Sequence, residues 1–184
     1  VPADFSWVNQ GDASLSTASG GLTVSGPGNA STNLRIQKKT APSAPWTATA
    51  LIAAFTGAAD NHRAGIVMRE NATGKLLTLS TGGGATSNAG ITVDRWNSPT
   101  SFSAQPKATN IPVQNFQNGL WVRAKYDSTN VKFFFSPDGF IWSEYYTESK
   151  TAFFTTAPDE VGLFINVEGT GTPDLVNTLI HFTF

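Results

Sequence analysis

The sequence predicts an all-β fold, a sandwich of two antiparallel sheets. Residues 120–126 alternate, with Leu120 and Val122 on one face and Trp121 and Arg123 on the other, which is the period-2 pattern of a half-buried strand. Residues that favour tight turns, chiefly Gly, Pro, Asn and Asp, recur between such segments. No segment of about eleven residues or more has a convincing helical period.

The clearest local pattern is a three-stranded meander between residues 120 and 142. The first turn, 127–130, is rich in Asp, Ser, Thr and Asn, and the second has the sequence Ser-Pro-Asp-Gly at 136–139. Proline presets its own φ angle, and glycine accepts a positive φ. We therefore predict a hairpin at 136–139 with positive φ at Gly139 or at Asp138.

The same reasoning along the chain predicts twelve short strands. They are placed at residues 4–8, 21–25, 33–37, 46–55, 64–70, 76–80, 91–96, 120–126, 131–135, 142–147, 161–167 and 176–184. Residues 71–74 have hairpin-turn chemistry, and residues 82–88 are predicted to form a glycine-rich loop tip. Many short strands with frequent turns are typical of a β-sandwich or jelly roll. Because neither a linker nor an internal repeat divides the chain, we predict one domain over residues 1–184.

Composition excludes several function classes. The chain has 184 residues and a formal net charge of -1, so it lacks the basic surface that nucleic acids and anionic membranes attract. No apolar run reaches the length of a membrane span. The chain contains no cysteine, which excludes disulfides and thiolate metal sites. Only 14% of the residues are charged, and the polar residues Thr, Ser and Asn are abundant instead. Many extracellular and virion-surface proteins have this composition, and we expect this protein to work in one of those places.

Several motifs occur in an order typical of one superfamily. They are residues 4–11, the strand Gly-Ile-Val-Met-Arg within 64–75, Trp-Val-Arg at 121–123, Ser-Pro-Asp-Gly-Phe-Ile-Trp at 136–142, and 161–163. This order resembles the concanavalin A-like lectin/glucanase superfamily, in its laminin G-like and glycosidase-accessory branches. The resemblance implies two curved sheets packed face to face, with a concave face or rim loops that often bind glycans and often a calcium ion. Such domains occur as accessory modules of glycosidases and in bacteriophage tail and virion proteins.

The sequence favours a protein without catalytic activity. Glucanases of this superfamily carry a Glu-x-Asp-x-x-Glu strand, whose carboxylates flank the scissile bond, and no such spacing exists here. Glu144 and Glu148 are expected to share one strand face, where solvated surface carboxylates are the simpler interpretation. His62 and His181 are expected to be ordinary surface or hydrogen-bonded histidines. We predict that the protein is not an enzyme.

Calcium is implied by the resemblance, but the sequence assigns it no ligands. Oxygen-bearing side chains that could contribute occur at 60–61, at 159–160, and at Glu168 with Asp174. No EF-hand spacing is present, and acids in loops are more often turn formers.

The candidate ligand site is built around Trp96. Sugar rings stack their C–H faces on aromatic rings, and their hydroxyls bind Asn, Asp, Arg and Glu. Trp96 and Asn97 are expected to begin an irregular loop at the rim. Asp94 shares the strand face of Trp96, and Arg69 points to the strand face opposite that of Met68. These considerations predict a ligand-binding set of Arg69, Asp94, Trp96 and Asn97, with a core position for Trp96 left open as the alternative. The remaining tryptophans are predicted to be core residues: Trp7, Trp46, Trp121 and Trp142.

Two functions of different classes fit these sequence features. The first is a non-catalytic carbohydrate-binding or adhesion module, on a virion surface or attached to a secreted glycosidase, whose partner is a glycan or polysaccharide. The second is a structural decoration or fibre domain of a phage particle that packs against copies of itself or other virion proteins. An aromatic ring at a concave site favours the first, and a flat exposed apolar face favours the second.

Overall fold

A computed structural model describes residues 4–18, 20–55, 61–83, 89–110, 119–168 and 175–184, which form fourteen β-strands. The strands are β1 Ser6–Val8, β2 Ser14–Ser16, β3 Leu22–Gly26, β4 Arg35–Thr40, β5 Trp46–Phe55, β6 Arg63–Arg69, β7 Leu76–Gly83, β8 Ala89–Ser98, β9 Ser101–Asn110, β10 Leu120–Tyr126, β11 Asn130–Ser136, β12 Ser143–Ser149, β13 Glu160–Asn166 and β14 Leu175–Thr183. A single turn of 3₁₀ helix, Lys150–Ala152, accompanies them. No helix in these ranges is long and apolar enough to span a membrane.

The strands form two sheets of seven. The front sheet has the order β1-β4-β13-β6-β7-β8-β9, and the back sheet has the order β12-β11-β10-β5-β14-β3-β2. Every pair of neighbouring strands is antiparallel. The predicted fold class, an all-β sandwich of two antiparallel sheets, is confirmed.

The main core lies between the two sheets. Alternate residues of the central strands point inward, among them Ile66 and Met68 from the front sheet and Ala50, Val122 and Phe133 from the back sheet. This alternation is the reason that the period-2 pattern identified these strands. Asn177 of β14 adds a polar link across the core, because its Nδ2 donates to the carbonyl oxygens of Gly65 and Phe164 in the front sheet at 3.1 and 3.0 Å.

A second apolar cluster covers the outer face of the front sheet. Trp96 packs there with six residues, and all of the cluster except Val8 is fully buried: Val8, Leu34, Ile36, Val67, Leu76 and Phe164. A sheet with one solvated face would carry polar residues at these positions. The outer face is therefore covered by another part of the chain, and this cover defines the candidate site described below.

Twelve of the strands lie close to their predicted positions, and two were missed. β2 and β9 carry few apolar residues and lie at the edges of their sheets, so neither has an apolar alternation to detect. The prediction of an irregular loop beginning at Trp96 is wrong, because β8 continues to Ser98 and a short turn leads directly into β9. Residues 82 and 83 of the predicted loop tip belong to β7, and residues 84–88 lie outside the described ranges.

The predicted turns are confirmed. Gly139 has a φ of 79°, and the Asp138 carboxylate accepts hydrogen bonds from the backbone N–H groups of Phe140 and Ile141 at 2.8 and 2.9 Å. The carboxylate of Asp127 closes the preceding turn in the same manner, accepting from the backbone of Asn130 at 2.7 Å. Gly74 ends the 71–74 turn with a φ of 78°.

The prediction that Glu144 and Glu148 share one strand face is wrong, because a β-bulge lies between them. The register between β11 and β12 shifts at Phe133 and Phe134, so that one additional residue of β12 is accommodated. Glu144 is consequently paired with Phe134 on the outer face, and Glu148 with Val131, a core residue. The two carboxylates therefore do not share a face.

Only one of the four tryptophans predicted as core residues is buried. Trp46 lies in the main core, whereas Trp7 is partly buried. Trp121 and Trp142 lie half-buried on the outer face of the back sheet, where Trp121 contacts His181 and the guanidinium of Arg123 lies 3.7 Å from the ring centre of Trp142. Period 2 distinguishes the two faces of a strand, but it does not state which face meets the other sheet.

Candidate functional site

The outer face of the front sheet carries a polar floor beside the apolar cluster. Arg63 of β6 lies opposite Gly82 of β7, which in turn lies opposite Gly90 of β8. Because these glycines carry no side chains, the Arg63 guanidinium has space to cross the sheet. Its Nε lies 3.0 Å from Oδ2 of Asp94, which is fully buried in β8.

The β8–β9 hairpin forms a roof over this face. The backbone N–H of Leu34, just before β4, donates to the carbonyl oxygen of Pro99 at the hairpin tip at 2.9 Å. The register between β8 and β9 shifts repeatedly between Val93 and Ser98, which is the type of irregularity that bends a hairpin out of its sheet. The hairpin therefore reaches from one side of the front sheet to β4, and we call residues 96–102 the roof.

The roof carries two aromatic rings that face the sheet and the pocket beside it. Trp96 is fully buried, and its indole Nε1 donates to Oγ1 of Thr78 at 3.0 Å. Phe102 contacts Trp96 edge to face, with ring centroids 5.1 Å apart, and it remains 46% exposed. Phe102 is thus held in place by Trp96 but presents about half of its surface to solvent.

A pocket of about 230 Å³ lies between the roof, the floor and the neighbouring loops. Its lining combines two aromatic rings with a cation, a carboxylate, an amide and a hydroxyl: Thr32, Asn61, Arg63, Trp96, Phe102 and Glu168. Aromatic side chains beside convergent polar groups in a concave site are a common feature of small-molecule sites.

Hydrogen bonds fix the polar wall of the pocket. The Glu168 carboxylate accepts from Thr32 Oγ1 at 2.5 Å, from Asn61 Nδ2 at 2.9 Å and from Asn166 Nδ2 at 3.2 Å. The Asn166 side chain also accepts from the backbone N–H of Asn33 at 2.9 Å. These bonds join three segments that are far apart in the sequence, so the wall exists only in the folded chain.

Asp94 is the buried acid of the floor. Burial raises the pKa of its carboxyl group, and the ion pair with Arg63 together with hydrogen bonds from Gln105 and Thr92 opposes this rise only in part. The Gln105 amide donates to Oδ1 at 2.9 Å, and the Thr92 hydroxyl to Oδ2 at 3.1 Å. Both oxygens of Asp94 are therefore engaged within the protein.

The structure places Arg69, Asp94 and Trp96 on the outer face of the front sheet, but it does not bring the four predicted ligand residues into one site. Trp96 lines the pocket, and Asp94 anchors the Arg63 floor. Arg69 lies at the other end of β6, where it pairs with Glu160 and donates to Asn71 at 2.9 Å. Asn97 is exposed on the roof. Whether these residues bind a ligand stays a prediction.

Sequence reasoning assigned only one of the six lining residues, Trp96, to the ligand site. It considered Asn61 and Glu168 for calcium alone, and it did not single out the other three. Arg63 shares the alternation of Arg69 in β6, so a signal for it was available in the sequence.

The other lining residues give no such local signal. Phe102 lies in a strand with almost no apolar pattern, and Thr32 and Glu168 lie outside the strands. Thr32 and Glu168 come close to each other because residue 29 pairs with residue 168 in an isolated bridge. No short stretch of the sequence reveals that pairing.

No metal centre is formed by the described residues, since no three His, Asp or Glu side chains gather closely enough to hold an ion. Of the residues considered for calcium, Asp60 and Asp174 lie outside the described ranges. Asp159 accepts from the backbone N–H of Asn71 at 2.8 Å, and Glu160 pairs with Lys38 at 2.6 Å. His62 is fully buried, contrary to the expectation of a surface or hydrogen-bonded residue, and neither of its ring nitrogens meets a partner among the described residues.

Comparison with known proteins gives structural matches only. No protein-family model matches the chain, and no curated protein matches it in sequence. A functionally unknown protein from Saccharomyces cerevisiae is 14% identical, with a TM-score of 0.70, covering 98% of this chain and 95% of that one. A lectin from Bauhinia forficata, solved in complex with GalNAc, is 11% identical, with a TM-score of 0.57, covering 97% of this chain and 91% of that one.

A third match places the same fold within a longer enzyme. Xylan β-1,4-xylosidase from Bacillus halodurans is 13% identical, with a TM-score of 0.63, and the match covers 91% of this chain but only 33% of the enzyme. The chain thus spans about a third of that protein. At these identities the matches establish the fold alone, and the chain has the concanavalin A-like lectin/glucanase fold.

Proposed function

We propose that this protein is a non-catalytic carbohydrate-binding module and that the pocket beneath the roof is its binding site. The observation that carries the proposal is the half-exposed ring of Phe102 next to Arg63, Asn61 and Glu168. An aromatic ring offers a surface for the C–H face of a sugar, and the polar groups match its hydroxyls. The fold shared with the Bauhinia lectin is consistent with this role.

The state of the carboxylates supports binding without cleavage. A glycosidase of the usual type needs two carboxyl groups about 5 to 9.5 Å apart that are able to act as acid and as base or nucleophile. Asp94, in the floor, is ion-paired with Arg63 and accepts from Thr92 and Gln105, and Glu168, in the wall, accepts from Thr32 and Asn61. Elsewhere, Glu144 and Glu148 lie on opposite faces of β12.

A glycan array screened with the wild-type protein, with and without added calcium, tests the proposal directly. For any glycan that binds, we expect Phe102→Ala to weaken the affinity roughly tenfold, about 1.4 kcal/mol, because it removes the stacking surface. Phe140→Ala is the matched control, since Phe140 is 88% exposed on the back-sheet hairpin and is not among the residues that line the pocket. Equal affinities for the two variants, or release of reducing sugar by the wild type, would contradict the proposal.

A second function is favoured by a different observation. Phe140 and Ile141 stand 88% and 73% exposed at the tip of the β11–β12 hairpin, which Asp138 holds rigid through two backbone hydrogen bonds. Large apolar side chains held rigidly in water are typical of a protein contact. As the alternative, we infer an assembly domain that packs through this hairpin against copies of itself or against other particle proteins.

Light scattering after size-exclusion chromatography separates the two functions. The assembly function predicts a defined oligomer that dissociates when Phe140 and Ile141 are both replaced by serine. A monomeric wild type that binds glycans would remove the support for self-assembly. Either function is compatible with a place on a virion surface or beside a secreted glycosidase, which remains part of the proposal.

A further inference from the structure

The roof divides the outer face of the front sheet. Between β8 and β4 lie three strands, β7, β6 and β13, so the bond from Leu34 to Pro99 joins positions about 19 Å apart along the sheet. A polymer lying across the strands on this face would meet the roof. The face therefore offers a pocket bounded by the roof instead of an open cleft.

The roof is firmly attached. Lifting it would expose Trp96, which is packed against the outer cluster and bonded to Thr78, and would break the Leu34 to Pro99 hydrogen bond. Full burial of a large apolar side chain contributes about 1.5 to 3 kcal/mol or more. The roof is thus a stable part of the site.

The wall meets the roof at one corner of the pocket. Leu34, which holds the tip of the roof, directly follows Asn33, which is bonded to Asn166. On the other side of Asn33, Thr32 is bonded to Glu168, and the backbone N–H of Asn29 donates to the carbonyl oxygen of Val167 at 2.8 Å. Within the described ranges, the pocket is therefore closed on the side where roof and wall join.

The size of the pocket fits one sugar unit. Its volume of about 230 Å³ lies below the roughly 300 to 1,000 Å³ of sites that enclose drug-sized ligands. An oligosaccharide would extend beyond it, and on the side closed by roof and wall the chain could not pass through the pocket.

The charges of the lining favour a neutral ligand. Arg63 contributes one positive charge and Glu168 one negative charge, and the remaining lining side chains are uncharged. A uronic acid or a phosphorylated sugar would meet an Arg63 that is already paired with Asp94, and it would be repelled by Glu168. Hydroxyl groups can accept from Arg63 and donate to Glu168 without that conflict.

We propose that the pocket binds the terminal residue of a neutral glycan end-on and does not bind residues in the interior of a polysaccharide. This inference rests on the carbohydrate-binding function proposed above. The expected ligand is therefore the end of a neutral glycan chain.

The test counts binding sites on a polysaccharide before and after its ends are multiplied. Wild-type protein is titrated by calorimetry with xylan and with whichever neutral polysaccharide binds on the array. Each polymer is then hydrolysed in part, so that the number of chain ends rises tenfold at constant mass. End-on binding predicts about ten times more sites per milligram and an unchanged affinity per site. An unchanged number of sites per milligram would overturn the inference, while the proposed function would stand.

An oligosaccharide series gives the second measurement. Xylose, xylobiose and xylohexaose, and the corresponding galactose and glucose series, are compared on the same protein. End-on binding predicts affinities within about threefold from two units to six for the series that binds. An affinity that rises more than tenfold along the series would show that the site binds the interior of the chain, and the absence of binding to every probe would remove both the inference and the proposed function.

Discussion

Glu70 shows how one buried carboxylate can join two loops. It follows β6 directly, and it accepts hydrogen bonds from Thr73 in the 71–74 turn, from the backbone N–H of Thr155, and from both the backbone and the hydroxyl of Thr156. Burial alone would raise the pKa of this carboxyl group. The hydrogen bonds from Thr156, Thr73 and Thr155 outweigh that effect, and the pKa lies below its ordinary value of 4.5.

Glu70→Gln is therefore expected to destabilise the protein in a pH-dependent manner. At neutral pH the variant should lose about 1.5 to 3 kcal/mol, because a charged acceptor is replaced by an amide that brings two donors. A carboxyl group with a lowered folded pKa stabilises fully above its unfolded pKa, and this contribution is lost as the pH falls through the folded pKa. Urea denaturation should show a constant difference from wild type near neutrality that shrinks below about pH 4.5.

The exposed acid Glu144 provides the control for Glu70. Its side chain is 42% exposed and lies 3.6 Å from Lys132, so Glu144→Gln should change the unfolding free energy by less than about 1 kcal/mol. A Glu70→Gln difference that stayed constant down to pH 3 would show that the hydrogen bonds do not depend on the ionised carboxylate.

Trp96→Ala should be strongly destabilising, because the ring is completely buried in the outer cluster. We expect a loss of about 3 to 5 kcal/mol in the free energy of unfolding, measured by chemical denaturation. Phe102→Ala should cost clearly less, since about half of that ring already faces solvent. Similar losses for both variants would indicate that the roof unfolds locally before the rest of the protein.

Among the secondary-structure elements, the β11–β12 hairpin is determined mainly by local chemistry. Gly139 adopts a left-handed φ of 79°, and a Cβ atom built there would lie 3.0 Å from Cε2 of Trp121. Gly74, in the 71–74 turn, has a φ of 78° but no atom within 4 Å of the same added Cβ. The two glycines thus share a backbone conformation and differ in their surroundings.

Replacing each glycine by alanine separates backbone strain from steric contact. Both variants should lose about 1 to 2 kcal/mol because an L-residue is disfavoured at left-handed φ. Gly139→Ala, and more so Gly139→Val, should lose more than Gly74→Ala, since Trp121 must also shift. Thermal melts with calorimetric enthalpies measure both changes. If Gly74→Ala proved the more damaging variant, the contact with Trp121 would not limit the hairpin.

The β14 strand illustrates what an irregularity does to an element. A bulge between Leu179 and His181 changes the register with β5, so that Leu179 points into the core and His181 is exposed. The even alternation expected over 176–184 therefore holds only for the first half of the strand. A bulge is one extra residue in one strand of a pair, and it needs no particular residue type. The apolar alternation of a single strand therefore does not show where a bulge lies.

Across the molecule as a whole, the two apolar clusters share the strands of the front sheet. β6 contributes Ile66 and Met68 to the core between the sheets and Val67 to the cluster under the roof. β7 likewise contributes Leu77 and Leu76 to opposite sides. Loss of either cluster would remove support from the other face of the same strands.

We therefore expect a single cooperative unfolding transition. Trp46 reports on the core between the sheets and Trp96 on the outer cluster, while far-ultraviolet circular dichroism reports on the strands. Fluorescence and dichroism should give the same midpoint in guanidinium chloride. A fluorescence change that preceded the loss of dichroism would show that part of the protein unfolds as a separate, less stable unit.

Local sequence patterns were sufficient for those features that depend on near neighbours. Alternation located twelve strands, because each strand needs one apolar face wherever it is covered by another layer. Turn chemistry located the hairpin at Gly139 and the 71–74 turn, because a positive φ selects glycine within a few residues. Together with the ordered motifs, these features predicted the sandwich.

Long-range contacts, by contrast, set which strands are neighbours, where the bulges lie and what covers the outer face. The pocket joins residues 32, 61, 63, 96, 102 and 168, which are brought together by the strand order and by a hairpin that folds back onto β4. Trp96 illustrates the difference, since its strand face followed from alternation but its burial depends on the roof. Alternation is a local property, whereas burial depends on contacts between distant segments, which no single stretch of sequence contains.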